Sequence, residues 1–363
     1  MEETPKSQVT TVTLPQPALF PLMFSASLGL AASLGAQTLR LELPTDNSAL
    51  FSDKPKEFYM FTYRNFEGES SRPWQAGQYG FVRNMKRTPE GIIGTRFHEG
   101  IDIRPVRRDS ANRPLDSVRA IAPGTVAYVN PSAGRSNYGI YAVLEHDWGD
   151  GPFFSLYAHL AEAAVTTGQR LPAGYKLGKM GYTGSGLNRE RAHLHLECSI
   201  LLSLRFKEWH DQFFGSKNYH GIHNGMNLAG LDIAGLFLAS RSDPGLAIPA
   251  FLKRTPTYYK VTTPRQGPLE LAVRYPWLCR GDHARPSPSW EIAFSASGLP
   301  LAIAPSHRQV GKPLVTFVRT TRSRHEYFTK SYLTGSGRRA SLTARGKRYL
   351  RLITGNFGSR QGS

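Results

Sequence analysis

Two short segments carry most of the information about the expected fold: FHEGID at residues 97–102 and HLHLE at residues 193–197. In the first segment, Gly100 and the β-branched Ile101 disfavour a helix and indicate a turn that enters a strand. In the second, the spacing of His193 and His195 places both imidazoles on one face of a strand. The two segments therefore predict a site built on a β-sheet, unlike the helical His-Glu-x-x-His metal sites.

The side chains that these segments contribute are chemically suited to a metal ion. A histidine, a carboxylate and a second histidine form the ligand set of a catalytic zinc site, which leaves a fourth position open for water. Each pattern by itself also fits solvated or hydrogen-bonded histidines with a structural role. The surrounding sequence favours the metal site.

Five segments follow one another in a particular order within roughly residues 90 to 200. They are FHEGID (97–102), VRAIAPGTV (118–126), SLYAHL (155–160), GKMGYTGSG (178–186) and HLHLE (193–197). In this order they resemble the LytM/lysostaphin-type zinc endopeptidases of the M23 class, which cut peptide cross-links of bacterial peptidoglycan. The resemblance implies an antiparallel β-sheet catalytic domain that uses Zn²⁺ as its cofactor.

The resemblance also implies roles for five residues. His98, Asp102 and His195 are expected to be the zinc ligands. His159 and His193 fall where the family keeps two histidines that are not ligands. These two are expected to transfer protons and to stabilise the oxyanion of the tetrahedral intermediate, and the sequence assigns both roles to the pair jointly.

Three further polar residues lie close to these motifs. Glu197 shares a strand face with His195, so it is either an acceptor for a ligand imidazole or an exposed carboxylate. Tyr157 alternates with apolar neighbours and is expected to pack in a half-buried strand. His146 is expected to be structural.

The charge of the chain indicates its class of partner. The 363 residues carry a formal net charge of +18, which favours anionic surfaces. Peptidoglycan peptides are the expected substrate, and anionic cell-envelope polymers are a further expected partner. Nucleic acid is the competing partner, but no nucleic-acid fold signature accompanies the charge, so it is not expected. The sequence carries no signal for an oligomeric state.

Residues 1–37 are predicted to be a signal peptide or an N-terminal anchor. They contain an apolar run and end in small residues that fit a cleavage site. The protein is therefore expected to be exported, to the periplasm, the cell envelope or the medium. In such a compartment Cys198 and Cys279 allow one disulfide but no disulfide scaffold, and Cys198 is expected to be a buried thiol.

The rest of the chain divides into four predicted parts. They are a β-rich lead-in (38–90), an M23-like zinc peptidase domain (91–200), a helical or irregular cover (201–250) and a basic, β-rich C-terminal module (251–363). Alternating apolar residues predict a strand at 39–43, and β-forming residues predict strands at 269–273, 290–294 and 315–318. The basic segment 345–354 is expected to pair as a final strand. Residues 227–233 are predicted to be helical or irregular. The expected fold class is mainly β with minor α.

These observations favour a zinc-dependent metalloendopeptidase that hydrolyses peptide cross-links of peptidoglycan. Two alternatives stay open. One is a catalytically inactive M23-like protein that binds the wall or regulates an amidase. The other is a basic wall- or nucleic-acid-binding protein whose histidines are structural.

Overall fold

The computed structural model describes Met1 and residues 39–357 of the chain. The chain divides into two units, Met1–Gly35 and Ala36–Ser363, and every described element belongs to the second. Apart from Met1, the predicted signal peptide at residues 1–37 lies outside the described residues. In the described part of the chain, no helix is long and apolar enough to cross a membrane.

The first half of the described chain is almost entirely β-structure. Its strands are β1 Arg64–Phe66, β2 Glu69–Ser71, β3 Gly80–Thr88, β4 Gly91–His98, β5 Ile101–Ile103, β6 Ser117–Arg119, β7 Gly124–Asn130, β8 Ile140–Asp147, β9 Pro152–Ala163, β10 Arg170–Leu171, β11 Lys176–Met180 and β12 Leu194–Leu201. The second half mixes strands with helices. Its strands are β13 Leu228–Leu231, β14 Tyr259–Pro264, β15 Ser289–Phe294, β16 Pro300–Ser306, β17 Leu314–Val318, β18 Thr321–Arg324, β19 Leu333–Thr334, β20 Ser336–Gly337 and β21 Ser341–Leu342.

Six α-helices occur in the described residues, most of them after the large sheet. They are α1 Pro55–Phe58, α2 Phe206–Phe213, α3 Ile233–Ser242, α4 Ile248–Leu252, α5 Glu270–Arg274 and α6 Ala344–Thr354. Short 3₁₀ turns lie at Ala49–Phe51, Trp74–Gly77, Ala133–Arg135, Gly221–His223, Gly225–Asn227, Pro276–Leu278 and His325–Tyr327.

A nine-stranded antiparallel sheet forms the centre of the protein. Its main path runs β10-β7-β8-β9-β11-β6, and β12 joins it by pairing with β9, β5 and β13. All eight residues of β12 are buried. The predicted fold class, mainly β with antiparallel sheets, is therefore confirmed.

The register of this sheet brings the two sequence segments together. In the ladder, His195 of β12 lies opposite Asp102 of β5 on one side and opposite Ala158 of β9 on the other. A two-residue turn separates the end of β4 at His98 from β5, as the sequence predicts. Only glycine fits at position 100 of that turn, because a Cβ there would lie 2.1 Å from the carbonyl oxygen of Leu196.

A second antiparallel sheet, in the order β16-β15-β14-β17, forms the centre of the C-terminal part. The predicted strands at 290–294 and 315–318 are confirmed as β15 and β17. The predicted strand at 269–273 is wrong, because Glu270–Arg274 forms α5. There Leu271 and Ala272 turn into the core, and Arg274 pairs with Glu270 one helical turn away.

The predicted final strand at 345–354 is also wrong, since these residues form most of α6. The helix begins at Thr343, whose side chain caps it by accepting a hydrogen bond from the Gly346 N–H at 3.0 Å. It ends at Gly355 in the left-handed conformation. The buried residues Tyr349, Leu350 and Ile353 follow helical spacing.

Two other local predictions need correction. Residues 228–231, within a segment expected to be helical or irregular, form β13 and extend the central sheet beside β12. Residues 39–43 form no strand, although their burial alternates as predicted. One backbone hydrogen bond is donated by this segment, from the Glu42 N–H to the carbonyl of Ile121 at 2.8 Å, and Ile121 lies between β6 and β7 rather than in a strand, so no ladder develops.

The C-terminal part packs directly against the central sheet. The Tyr275 hydroxyl accepts a hydrogen bond from the Leu201 N–H at 2.9 Å and donates one to the Pro152 carbonyl at 2.7 Å. The Trp209 indole donates to the carbonyl of Arg348 at 2.8 Å. Both cysteines are free thiols, and Cys198 is buried as expected. The boundaries drawn at residues 200 and 250 stay predictions.

Candidate metal centre

Three side chains converge at the edge where β4, β5 and β12 meet. His98 Nε2 lies 3.1 Å from Asp102 Oδ1, and His195 Nδ1 lies 2.9 Å from the same oxygen. The two imidazole nitrogens are 3.0 Å apart. All three residues are buried, and the three candidate ligand atoms lie within 4.8 Å of one another. The structure thus brings together the three residues that the sequence identified as candidate ligands.

The His98 imidazole is held in one orientation. Its Nδ1 lies 2.8 Å from the carbonyl oxygen of Gln78, so Nδ1 carries the proton and donates it to that oxygen. Nε2, with its lone pair, then faces the cluster. Burial lowers the pKa of His98 to about 4, although the negative charge of Asp102 raises it. The ring is therefore neutral near pH 7.

The His195 imidazole lies between two carboxylates. Its Nε2 is 2.8 Å from Glu197 Oε1, while its Nδ1 faces Asp102. Burial alone would lower the pKa of His195, but its hydrogen bonds to Asp102 and Glu197 raise it to about 9. With the Nε2 proton held by Glu197, Nδ1 is the atom that can exchange its proton for a cation.

This donor set fits Zn²⁺. Two imidazole nitrogens and a carboxylate oxygen are ligands that zinc accepts readily. Each imidazole has its other nitrogen fixed by an acceptor, as metal-binding histidines almost always do.

Glu197 is buried, with 1% of its surface exposed, which excludes the alternative of an exposed carboxylate. Its Oε1 also accepts a hydrogen bond from the Tyr138 hydroxyl at 2.7 Å. Burial would raise the pKa of Glu197, but the contacts with His195 and Tyr138 outweigh it and lower the pKa. The carboxylate is therefore ionised and able to orient His195.

Arg83 holds the other oxygen of the Asp102 carboxylate. Its guanidinium lies 2.5 Å from Asp102 Oδ2, and its Nε donates to the Ala76 carbonyl at 2.8 Å. Burial would raise the pKa of Asp102, but His193, His98 and Arg83 outweigh it and hold the pKa well below its ordinary value. Arg83 reaches the site because the β3–β4 register shifts between Phe81 and Arg83.

The sequence did not identify Arg83 or Tyr138. Arg83 belongs to a hairpin whose bulge depends on pairing with β4, and Tyr138 lies in the loop before β8. Neither residue stands in a motif. The turn-forming composition of Ser136–Gly139 indicates a loop but no function.

The two other histidines lie beside the cluster. The ring centroids of His159 and His193 are 4.8 Å apart, and those of His159 and His195 are 5.8 Å apart. His193 Nε2 lies 3.3 Å from Asp102 Oδ1, and its Nδ1 donates to the Arg191 carbonyl at 2.6 Å. All five candidate residues therefore surround one point.

His159 reaches this position through an irregularity in β9. Its φ of +62° is left-handed, which is rare for a residue with a side chain. The register of β9 shifts beside it against β11, and its Nδ1 lies 2.8 Å from the Thr183 carbonyl. Burial, together with His193 and His195, holds the pKa of His159 well below its ordinary value. The ring is thus neutral and able to accept a proton.

His146 and Tyr157 belong to the core. His146 lies 2.7 Å from the Pro123 carbonyl and 2.6 Å from the Ser155 hydroxyl, and its ring stacks on Trp148. The Tyr157 hydroxyl accepts a hydrogen bond from the Ile121 N–H at 2.8 Å.

Two cavities meet at the cluster, with volumes of about 1260 and 680 Å³. His195 lines both cavities. Glu197 lines the larger one, and His159 and His193 line the smaller one. A polypeptide that crosses the cluster would therefore have space on each side of it.

The comparison with protein families identifies the domain that carries this cluster. Residues 96–203 match the profile of peptidase family M23. This part of the chain is an M23 domain. It contains all five candidate residues and both long central strands, β9 and β12.

Solved structures resemble the M23 domain and its surroundings at low identity. A zinc-containing peptidase from Vibrio cholerae is 24% identical over 39% of this chain and 36% of its own, with a TM-score of 0.24. This chain thus spans about a third of the length of that peptidase. The catalytic domain of the antimicrobial peptidase lysostaphin from Staphylococcus simulans is 21% identical over 38% of this chain and 80% of its own, with a TM-score of 0.24.

A third match lies in the complex of SpoIIIAH and SpoIIQ. It is 20% identical over 44% of this chain and 90% of that chain, with a TM-score of 0.25. No curated protein matches this chain significantly.

Proposed function

We propose that the protein is a zinc-dependent endopeptidase that hydrolyses peptide cross-links of bacterial peptidoglycan. The M23 domain supports a peptidase. The single observation that carries the proposal is the convergence of His98, Asp102 and His195 beside two further histidines, of which His193 is buried and His159 is half-buried. An arrangement with only structural histidines would not need ligand atoms from three strands facing one point.

In this proposal His98 Nε2, Asp102 Oδ1 and His195 Nδ1 hold the zinc ion. Zinc, when bound, supplies a Lewis acid and lowers the pKa of water toward about 7. Gln78 and Glu197 fix the two imidazoles, and Arg83 fixes the carboxylate. The chain thus presents its ligands already oriented.

His159 and His193 have the two remaining roles, proton transfer and stabilisation of the oxyanion. The half-buried, neutral His159 has its Nδ1 proton engaged by Thr183, so its Nε2 can take a proton from the attacking water and later protonate the leaving amine. His193 Nε2 lies 3.3 Å from Asp102 Oδ1, and it carries an N–H when the ring is protonated, because Nδ1 already donates to the Arg191 carbonyl. That N–H can stabilise the oxyanion of the tetrahedral intermediate.

The M23 domain and the two cavities support the proposed substrate class. The two cavities on either side of the cluster accommodate a peptide that continues in both directions, as an endopeptidase requires. Peptidoglycan lies outside the cytoplasm, so the proposal includes export directed by the N-terminal segment. Anionic cell-envelope polymers are a further proposed partner of this basic chain.

Digestion of purified cross-linked muropeptides by the full-length protein tests the proposal. The products are weighed by mass spectrometry, which also identifies the bond that is cut. We expect one peptide bond to be hydrolysed, with loss of activity after chelation and recovery after addition of zinc. A zinc-loaded protein that cleaves no muropeptide would overturn the proposal and favour the inactive wall-binding or regulatory alternative. Retention of all five candidate residues argues against that alternative.

A further inference from the structure

The larger of the two cavities extends away from the metal cluster between the M23 domain and the C-terminal part. Glu197 and His195 line it at one end, and Arg345 and Arg348 of α6 line it elsewhere. Its volume of about 1260 Å³ exceeds the range of about 300–1,000 Å³ that is usual for small-molecule pockets. A ligand of several residues therefore fits it.

The charge of the lining is strongly positive. Two carboxylates contribute to it: Glu99 pairs with Lys330, and Glu197 pairs with His195 through Oε1, while its Oε2 has no hydrogen-bond partner within the described residues. Five lining cations have no carboxylate partner within the described residues; they are Arg96, Arg135, Lys217, Arg345 and Arg348. The cavity thus holds positive charge that the described part of the chain does not neutralise.

Aromatic rings position four of these cations. Arg135 and Lys217 lie over the Tyr219 ring, at 5.4 and 5.2 Å from its centre. Arg348 lies over Phe214 and Arg345 over Tyr332, each at 5.7 Å. A ring face attracts a cation without using its N–H donors, so these groups stay available to an anionic acceptor.

A buried polar group in the same lining also lacks a partner. His210 of α2 is 3% exposed, and its Nδ1 has no hydrogen-bond partner within the described residues. Its ring stacks on Phe214, and the Arg348 guanidinium lies over the same phenyl ring. A ligand that offers hydrogen-bonding groups as well as negative charge would satisfy both features of this wall.

We propose that the larger cavity binds a carboxylate-bearing stretch of the peptide substrate, next to the bond that is cut. The proposal rests on the proposed peptidase function and adds the chemistry of one side of the substrate. Arginine guanidinium groups match carboxylates in shape and charge, and Arg345 and Arg348 project from one helix toward this space. The C-terminal part then contributes directly to substrate recognition.

Binding of a muropeptide monomer tests this proposal without requiring hydrolysis. Isothermal calorimetry compares a monomer that has free carboxylates with the same monomer after amidation of those carboxylates. We expect the full-length protein to bind the free form at least about tenfold more tightly. The Arg345→Gln/Arg348→Gln double variant should lose about tenfold in affinity for the free form and little for the amidated form. Arg135→Gln tests the side of the cavity that another segment contributes. It should weaken binding of the monomer with free carboxylates and leave binding of the amidated monomer unchanged.

Arg351→Gln is the matched control. Arg351 lies on the same helix and over an aromatic ring, Phe213 at 5.8 Å, but it does not line either cavity. Equal affinity for the two monomers, or equal loss in the control and the double variant, would overturn the proposal. An oligothymidylate that displaces the monomer with higher affinity at physiological salt would assign the cavity to nucleic acid instead. Discrimination between the monomers without cleavage of any cross-linked dimer would leave this site standing while the proposed hydrolysis fails.

Discussion

Arg83 and the buried Asp102 form a partly buried ion pair, with the arginine Nη2 2.5 Å from the carboxylate Oδ2. The pair fixes the rotation of the carboxylate, so that Oδ1 alone faces His98 and His195. An arginine from outside the motifs thus determines which oxygen is presented to a metal.

Replacing Arg83 with methionine keeps the aliphatic stem and removes the guanidinium. We expect the zinc affinity to fall by about 10–100-fold, because groups that orient a ligand typically contribute that much. Competition with a fluorescent chelator measures it. Arg96→Met is the control, since Arg96 is the cross-strand neighbour of Arg83 and is exposed. Unchanged zinc affinity in Arg83→Met would show that the ion pair is not needed to orient the carboxylate.

Replacing Asp102 with alanine removes one of three proposed ligands. The wild type should copurify with about one zinc per chain, and the variant should lose it. Elemental analysis of the purified proteins measures the metal. Zinc retained by Asp102→Ala with the affinity of the wild type would contradict the ligand assignment.

The His159→Ala variant separates proton transfer from metal binding. We expect it to keep its zinc and its fold and to lose about 10²–10⁴-fold in turnover, the usual contribution of general acid–base catalysis. Metal content, circular dichroism and the rate of muropeptide cleavage provide the three readouts. Loss of zinc together with activity would make His159 a ligand and end the proposed division of roles.

Replacing Glu197 with glutamine keeps the shape of the side chain and removes its charge. The proton on His195 Nε2 would no longer be held by a carboxylate, so zinc affinity should fall by about 10–100-fold. Tyr138→Phe should lower the zinc affinity by a smaller factor, because it removes only a hydroxyl that donates to Glu197. A larger loss of zinc affinity in Tyr138→Phe than in Glu197→Gln would reverse the order of importance inferred here.

The buried His146 should make the stability depend on pH. Burial lowers its pKa from an ordinary value of 6.5 to about 4, so the unfolded chain binds a proton more readily than the folded protein. Stability therefore falls as the pH decreases from 6.5 toward 4, and at pH 5 this histidine contributes a loss on the order of 2 kcal/mol.

Urea unfolding of the zinc-loaded wild type and His146→Gln at pH 7.5 and 5.0 measures this effect. The variant should be less stable at pH 7.5 but should lose less stability between the two pH values. Other histidines titrate in both proteins, so their contributions cancel in the comparison. Equal pH dependence in the two proteins would contradict the inferred pKa of His146.

The sequence predicted the elements whose signal is local. The period of two in His193-x-His195 depends only on the local backbone, and both rings do reach Asp102, His195 from β12 and His193 from the position directly before it. The turn at Gly100 is similarly local. The convergence of His98 with His195, 97 residues apart, followed from the resemblance rather than from spacing.

Other features depend on contacts that the local pattern does not contain. The basic segment 345–354 is expected from the sequence to pair as a strand, but the Thr343 cap together with packing of Tyr349 and Ile353 selects the helix. The position of Arg83 requires the bulge in the β3–β4 ladder, and the burial of Glu197 requires Tyr138 from a loop 59 residues earlier. Long-range pairing decides each of these outcomes.

The ion pair between Lys330 and Glu99 joins residues that are 231 positions apart, and Glu99 lies in the turn directly after His98. When the chain emerges with its N-terminus first, β4, β5 and β12 are available long before Lys330. The turn that separates His98 from Asp102 therefore gains this partner only late in synthesis. The neighbourhood of the metal cluster is therefore complete only after the segment that contains Lys330 has been synthesised.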